Sequence, residues 1–155
     1  MTPAINAAKK KKIPYKVHQY THDPSYDSYG KEAAEKLRVA EERVYKTLVV
    51  QLDKGSLTVA VIPVSSMLSM KQIAKAAGAK KAAMADKEQV ERSTGYVLGG
   101  VSPLGQKKRL ATVIDSSAKD FPTIFVSAGR RGLDIELSPA DLASLTTAIF
   151  AEIRQ

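Results

Sequence analysis

Two apolar segments separated by a three-residue polar turn restrict the fold more than any other feature of this sequence. Val44–Asp53 and Leu57–Val64 are rich in β-branched residues, and Lys54-Gly55-Ser56 stands between them. Strands of this composition joined by a short glycine-containing turn are typical of a β-hairpin. The sequence therefore predicts an antiparallel pair of largely buried strands.

Candidate helices and strands occur on both sides of this hairpin. Capping residues and helix formers predict four helices, at Thr2 to about Lys11, Lys31–Arg38, Ser69–Gly78 and Lys87–Arg92. Alternating or β-branched runs predict further strands at Tyr15–Tyr20, Thr112–Asp115, Thr123–Ser127 and Leu133–Leu137. This mixed order favours an α/β or α+β domain over an all-α or all-β one.

A last helix is predicted at the C-terminal end of the sequence. Ser138-Pro139-Ala140-Asp141 has the composition of a helix start. Leu142, Leu145, Ile149 and Ile153 then repeat at spacings of three and four residues. Such spacing is typical of one apolar helix face, so the helix is expected to continue as far as Ile153.

Composition limits the class of protein. With 155 residues, 44% apolar and 26% charged, the chain is expected to form one globular domain over residues 1–155 with its own core. The longest apolar run has eight residues, whereas a membrane-spanning helix needs about 20. Met1–Ala4 does not resemble a secretory leader, so a cytoplasmic location without membrane contact is expected. The absence of cysteine excludes disulfides, cysteine-ligated metals and a cysteine nucleophile.

The charge balance indicates a polyanionic partner. Twenty-four Lys and Arg against sixteen Asp and Glu give a net charge of +8 and a pI of about 9.6. Nucleic acid is the commonest partner of such a basic domain. A basic surface that serves only solubility is the alternative that charge alone leaves open.

Three segments have compositions that suit a binding site. Gly95–Gly105 contains four glycines and one proline, so its backbone amides can approach a ligand and stabilise an oxyanion; a tight turn is the alternative. Lys46 interrupts an apolar strand, where a lysine needs either an anionic partner or an edge position open to water. Ser127–Asp134 is a basic glycine turn that suits a phosphate backbone, although it also suits a plain hairpin.

Weaker candidates are spread along the chain. His18 and His22 lack the helix that would align them as metal ligands, and Ser65, Ser66 and Ser102 lack the surroundings of a nucleophilic serine. Asp23, Asp27 and Glu32 are interpreted as solvated carboxylates rather than catalytic acids or bases. Lys80-Lys81 and Lys107-Lys108-Arg109 are interpreted as exposed basic faces that RNA can use.

Three blocks of sequence together resemble the YbaK/EbsC family, relatives of the editing domain of bacterial prolyl-tRNA synthetases. The blocks are Tyr45–Val49, Gly95–Lys108 and Phe125–Gly132, and they occur in the family's order. The resemblance extends from the region of Tyr20 to the last predicted helix. It implies the editing-domain fold, a twisted mixed sheet or partial barrel flanked by helices.

The resemblance also implies an activity. This family removes wrongly attached amino acids, typically cysteine from the tRNA for proline, by attack of the substrate's own thiol on its ester. The implied partners are the charged acceptor end of tRNA and prolyl-tRNA synthetase, with no cofactor and no metal. The implied catalytic residues are Lys46, Gly99 and Gly100. The implied substrate-binding residues are Tyr20, Tyr29, Thr47, Ser102, Ser127 and Asp134, and the expected RNA-binding residues are Lys107, Lys108, Arg130 and Arg131.

Two alternatives stay open from the sequence. One is a related deacylase that clears alanine or another small amino acid with a bound water. The other is a non-catalytic module that binds tRNA or a synthetase, although the aromatic signatures of an RRM domain are missing.

Overall fold

The predicted hairpin forms the middle of a five-stranded sheet in the computed structural model, which describes all 155 residues. Strands β2 (Tyr45–Leu52) and β3 (Leu57–Pro63) pair antiparallel, with Tyr45 opposite Pro63 and Gln51 opposite Leu57. Six of the seven β3 residues are buried, because both faces of this strand are covered. The sequence prediction is confirmed here.

Three further strands complete this sheet. Strand β5 (Ala111–Asp115), which the sequence predicts, runs parallel to β3. Strand β4 (Ala82–Met84) adds an antiparallel edge and strand β8 (Ile149–Ala151) a parallel one, so the strand order is β4-β2-β3-β5-β8. Both edge strands have only three residues, too few for a recognisable alternation.

The last helix is shorter than the sequence predicts, and the prediction of a helix to Ile153 is wrong. Helix α5 (Pro139–Thr146) ends because Thr147 adopts a left-handed conformation with φ of 56°. Ile149 then lies in β8, opposite Val113, and is 51% exposed. Residues 149–151 satisfy their backbone hydrogen bonds by pairing with β5. The apolar spacing of three and four residues therefore matches the helix period only by coincidence.

A second, antiparallel sheet contains β1 (Lys16–Gln19), β6 (Ile124–Arg130) and β7 (Leu133–Leu137), close to the three predicted strands. The order of these strands across the sheet is β1-β7-β6. The two sheets meet where Val44, just before β2, forms a parallel bridge with Phe125 of β6. This mixed α/β architecture confirms the expected fold class.

Four other helices cover the sheets: α1 (Pro3–Lys10), α2 (Tyr29–Leu37), α3 (Met70–Ala76) and α4 (Lys87–Thr94). A side-chain oxygen caps each of the five helices, since Thr2, Ser28, Ser69, Asp86 and Ser138 accept hydrogen bonds from the first helical turn. Helix α2 therefore starts at Tyr29, two residues before the predicted start. None of the helices has the length and apolar character needed to cross a membrane.

The main core lies between the two sheets. Side chains from both sheets, α1 and the Gly95–Gly105 segment form one cluster of 20 buried residues, among them Val61, Ile114 and Ile135. A smaller cluster under α3 includes Ile62 and Ile73. The tightly packed core fixes the segments that surround the site described next.

Candidate active site

A cavity of about 340 Å³, here called the central cavity, opens where α2, the start of β2, the Gly95–Gly105 segment and the β6–β7 turn meet. It unites segments far apart in the chain, including all three that the sequence singled out. Its wall contains most of the predicted site residues: Tyr20, Tyr29, Lys46, Thr47, Gly99, Ser127, Arg130, Arg131 and Asp134.

Lys46 brings a positive charge into this cavity without a counterion. It lies on β2 opposite Ile62 and is half-buried. None of the five side-chain ion pairs includes it. Burial lowers the pKa of the Lys46 ammonium, and the nearby charge of Lys31 lowers it further. An anionic ligand would remove this cost, so the position is suited to binding negative charge.

Asp134 is the acidic counterpart of Lys46 in the cavity wall. It lies on β7 opposite Ser127 of β6 and is 6% exposed. Burial raises the pKa of Asp134 to about 7, and no hydrogen bond or ion pair offsets this effect. The carboxyl group therefore exchanges a proton near neutral pH, which suits a hydrogen-bond donor or a general base.

Two hydroxyl groups complete the polar part of the wall. The Thr47 hydroxyl oxygen is buried and has no hydrogen-bond partner. Such an orphan group in a cavity wall is suited to a ligand, because buried polar atoms are otherwise nearly always paired. Burial, together with the charges of Asp134 and Glu32, raises the pKa of the Tyr20 phenol to about 12, so it stays protonated and can donate.

The mouth of the cavity is formed by an arginine stacked on an aromatic ring. The Arg131 guanidinium carbon lies 4.2 Å from the centre of the Tyr29 ring. Gly99 passes beneath this pair with φ of 93°, and a Cβ there would lie 2.5 Å from Arg131 Nε and 2.7 Å from Tyr29 Cε2. Glycine is thus required at this position by both backbone conformation and space.

Some predicted residues do not line the central cavity. Gly100 is buried against Arg130, whose Cα would lie 2.8 Å from an added Cβ, so this position has no space for a side chain. Ser102 is fully buried, and its hydroxyl accepts a hydrogen bond from the Leu104 amide at 3.2 Å rather than lining the cavity. Lys107 and Lys108 are exposed outside the cavity.

Glu32 corrects the expectation that it is a solvated carboxylate. It is fully buried, and its carboxylate accepts hydrogen bonds from the Asp23 amide (2.6 Å), His22 Nδ1 (2.7 Å) and Lys36 Nζ (2.9 Å). Burial alone would raise the pKa of Glu32, but these hydrogen bonds outweigh it and lower the pKa. The cluster ties the loop before α2 to the helix that carries Tyr29.

The other weak candidates lie apart from one another. His18 pairs with Glu136 at 2.9 Å and His22 with Glu32, so the two histidines contact different carboxylates. Asp27 and Ser28 line the cavity, although the sequence did not indicate Ser28. The only sequence signal for Ser28 is that serine is a favoured N-cap residue. Recognising this cap would have placed the start of α2 at Tyr29 instead of Lys31.

Comparisons with known proteins agree with this fold. The family model for the aminoacyl-tRNA editing domain matches residues 23–145. A protein of Enterococcus faecalis named "Putative Cys-tRNA(Pro)/Cys-tRNA(Cys) deacylase EbsC" is 40% identical over 98% of this chain and 92% of its own. Uncharacterized protein YwhH of Bacillus subtilis is 29% identical over 74% of this chain and 73% of its own.

A solved structure shows the same fold. It is described as a "putative trans-editing enzyme for prolyl tRNA synthetase" and superposes with a TM-score of 0.86, 23% identity and coverage of 99% of this chain and 95% of its own. The chain belongs to the aminoacyl-tRNA editing domain family. The resemblance drawn from the sequence is therefore confirmed, as is the expectation of an enzyme of the aminoacyl-tRNA deacylase class.

Proposed function

We propose that this protein removes cysteine from mischarged tRNA, above all cysteinyl-tRNA for proline, acting in trans in the cytoplasm. One observation carries the proposal: the central cavity combines an unpaired lysine and an orphan hydroxyl with a wall that contains neither cysteine nor histidine. A wall that offers neither a thiol nor an imidazole suits a substrate that supplies its own nucleophile. The name of the 40% identical relative supports the same amino acid and tRNA.

The proposed reaction is an intramolecular acyl transfer. The substrate's thiol sulfur attacks the ester carbonyl carbon, so a carbon–sulfur bond forms and the carbon–oxygen bond to the terminal ribose breaks. The thiol proton passes to the ribose oxygen, and the products are uncharged tRNA and a cyclic thioester that water then opens. Holding thiol and carbonyl in contact can lower the barrier by about 7–11 kcal/mol.

The cavity residues have distinct roles in this proposal. Lys46 attracts the terminal phosphate and favours the thiolate form of the substrate. A backbone amide near Gly99 faces the oxyanion, which is worth about 3–4 kcal/mol. Thr47 hydrogen-bonds the aminoacyl group, and Tyr20 and Tyr29 enclose it. Arg130 and Arg131 lie at the rim, where they contact the acceptor strand.

The decisive experiment compares cysteinyl-tRNA with seryl-tRNA and identifies the products by mass spectrometry. We expect rapid release of tRNA from the cysteinyl ester, with a cyclic thioester or its hydrolysis product, and little release from the seryl ester. Equal release from both esters would refute attack by the thiol.

Asp134 favours a second candidate function, a deacylase that clears alanine or another small amino acid with a bound water. A carboxyl group with a pKa of about 7 can accept a proton from water at neutral pH. A panel of mischarged tRNAs separates the two functions. Preferential release of alanine, without a thioester product, would favour the water mechanism.

Association with prolyl-tRNA synthetase is the partner proposal that accompanies this function. The 23% identical structural relative is described with that synthetase. Co-purification of the two proteins with and without tRNA would test it, and the expected outcome is a complex that tRNA strengthens.

A further inference from the structure

A second concave surface lies outside the central cavity, and its charge is entirely positive. It measures about 260 Å³ and is lined by twelve residues, four of them cationic and none acidic. The cations are Lys10 and Lys11 at the end of α1, and Lys108 and Arg109 after the Gly95–Gly105 segment. We call this surface the basic groove.

The cations of the basic groove are available to a ligand. All four side chains are exposed, and none takes part in an ion pair. Arg109 donates one hydrogen bond, to the Thr147 hydroxyl at 3.1 Å. Four like charges around one groove repel each other, and an array of anions would relieve that repulsion.

The backbone that carries these charges is fixed. The amides of Lys107 and Lys108 donate to the carbonyls of Thr94 and Ser93, each at 2.9 Å. Gly105 packs so closely on the backbone of Pro3 that a side chain has no space there. The two walls of the groove therefore keep their spacing without a ligand, which lowers the entropy cost of binding.

The basic groove adjoins the central cavity through one continuous segment. Leu98, Gly99 and Val101 line the central cavity, whereas Pro103 and Gly105 line the groove. Val101 and Pro103 are two residues apart, so their Cα atoms are separated by no more than about 7 Å. Residues 101–104, which join the two, are buried in the main core, so the cavity and the groove are linked by a short and firmly packed segment.

We propose that the basic groove binds the phosphodiester backbone of the RNA whose 3′ end occupies the central cavity. This inference rests on the proposed function, since it assumes that the substrate is a tRNA. Phosphate contacts supply affinity and orientation without reading sequence. The groove thereby holds the acceptor arm in register while the cavity selects the amino acid.

The test uses an uncharged, fluorescein-labelled RNA hairpin that ends in single-stranded CCA, and the labelled trinucleotide CCA alone. The variant Lys10→Gln/Lys108→Gln removes one cation from each wall. The control Lys71→Gln/Lys75→Gln removes the same charge from two exposed positions of α3. Ile73 of α3 packs with Val113 of β5, whereas the neighbouring Thr112 lines the groove, so α3 and the groove lie on opposite faces of the sheet.

Anisotropy titrations over a range of salt concentrations measure the affinity for each RNA and its dependence on salt. The groove variant should bind the hairpin at least about tenfold more weakly at 0.1 M salt, with a salt slope smaller by about 2. Its affinity for the trinucleotide and all affinities of the control should stay at the wild-type values. Unchanged hairpin binding, an equal loss in the control, or an equal loss for the trinucleotide would overturn the proposal.

Failure of the proposed function would be distinguishable. The hairpin carries no amino acid, so its binding is measured without any deacylation. If cysteinyl-tRNA is not cleaved while hairpin binding depends on Lys10 and Lys108, the cysteine deacylase proposal fails and the basic groove remains an RNA site.

Discussion

Two buried carboxylates near the central cavity have opposite surroundings. Glu32 is fully buried and accepts three hydrogen bonds, which hold its pKa below the ordinary value. Asp134 is 6% exposed, and burial without a partner raises its pKa to about 7. Burial alone therefore does not determine whether a carboxyl group is ionised. The number of hydrogen-bond donors that contact it also matters.

The two lysines of this region show the same contrast. Lys36 donates to Glu32 at 2.9 Å, whereas Lys46 faces the central cavity without a carboxylate partner. The paired groups hold the loop and α2 together, and the unpaired groups line the cavity. Unpaired charged groups thus mark the candidate active site, whereas paired ones belong to the structural cluster beside it.

The largest effect is expected from Glu32→Ala. Removing the carboxylate leaves His22, Lys36 and the Asp23 amide without their acceptor, so the free energy of unfolding should fall by about 3–5 kcal/mol. Because the pKa of Glu32 is lowered, the wild type should lose this stability as pH falls below about 4.5. Chemical denaturation at several pH values measures both effects, and an unchanged midpoint would show that the cluster is not stabilising.

Asp134→Asn should raise the free energy of unfolding, whereas Glu32→Ala should lower it. The raised pKa means that the native state holds its proton between pH 3.8 and about 7, so wild-type stability falls as pH rises through this range. Asparagine keeps the neutral form, and at pH 8 the variant should be more stable by about 2–4 kcal/mol. Parallel denaturation curves at pH 5 and pH 8 provide the measurement. A destabilised variant at pH 8 would mean that the charged carboxylate has a partner in solution.

Lys46→Ala should separate activity from stability. Removing an unpaired, half-buried ammonium should leave the unfolding midpoint nearly unchanged, while kcat/KM for cysteinyl-tRNA should fall by about a hundredfold. Lys36→Ala is the matched control. Because Lys36 pairs with Glu32, its removal should lower the free energy of unfolding and should reduce kcat/KM less than Lys46→Ala does. Normal turnover by Lys46→Ala would assign this lysine a structural role only.

The smallest effect is expected from Arg131→Gln at the cavity mouth. Loss of the stack on Tyr29 should lower the free energy of unfolding by about 0.5–1 kcal/mol, the usual value for an exposed cation–π pair. Arg130→Gln, which removes the same charge from a side chain that stacks on no ring, serves as the control. An identical shift in both variants would attribute the effect to net charge instead of to the stack.

Local sequence patterns were sufficient to predict the elements that form through contacts between residues close in the chain. The hairpin was predictable because its two apolar runs and glycine turn act on neighbouring residues. The N-cap residues Thr2 and Ser69 marked two helix starts for the same reason. The predicted helix to Ile153 failed because β8 forms only through pairing with β5, a contact that residues 138–153 do not encode alone.

The candidate site was predictable in its residues and not in its geometry. Resemblance to the family indicated Lys46, Thr47, Gly99 and Asp134, and the structure brings these four together in one wall. It also indicated Ser102, which the core encloses instead. Glu32 was misinterpreted because its sequence neighbours resemble those of an exposed helix residue.

The alternation of helices and strands, the excess of positive charge and the family could all be predicted from the amino-acid sequence. Those properties depend on composition and on contacts between residues close in the chain. The partners of the buried charges, and the groove that Lys10 and Lys108 share, are evident only in the folded chain. Burial and pairing arise where distant segments meet, and the free energy of a charge depends on those surroundings more than on its neighbours in sequence.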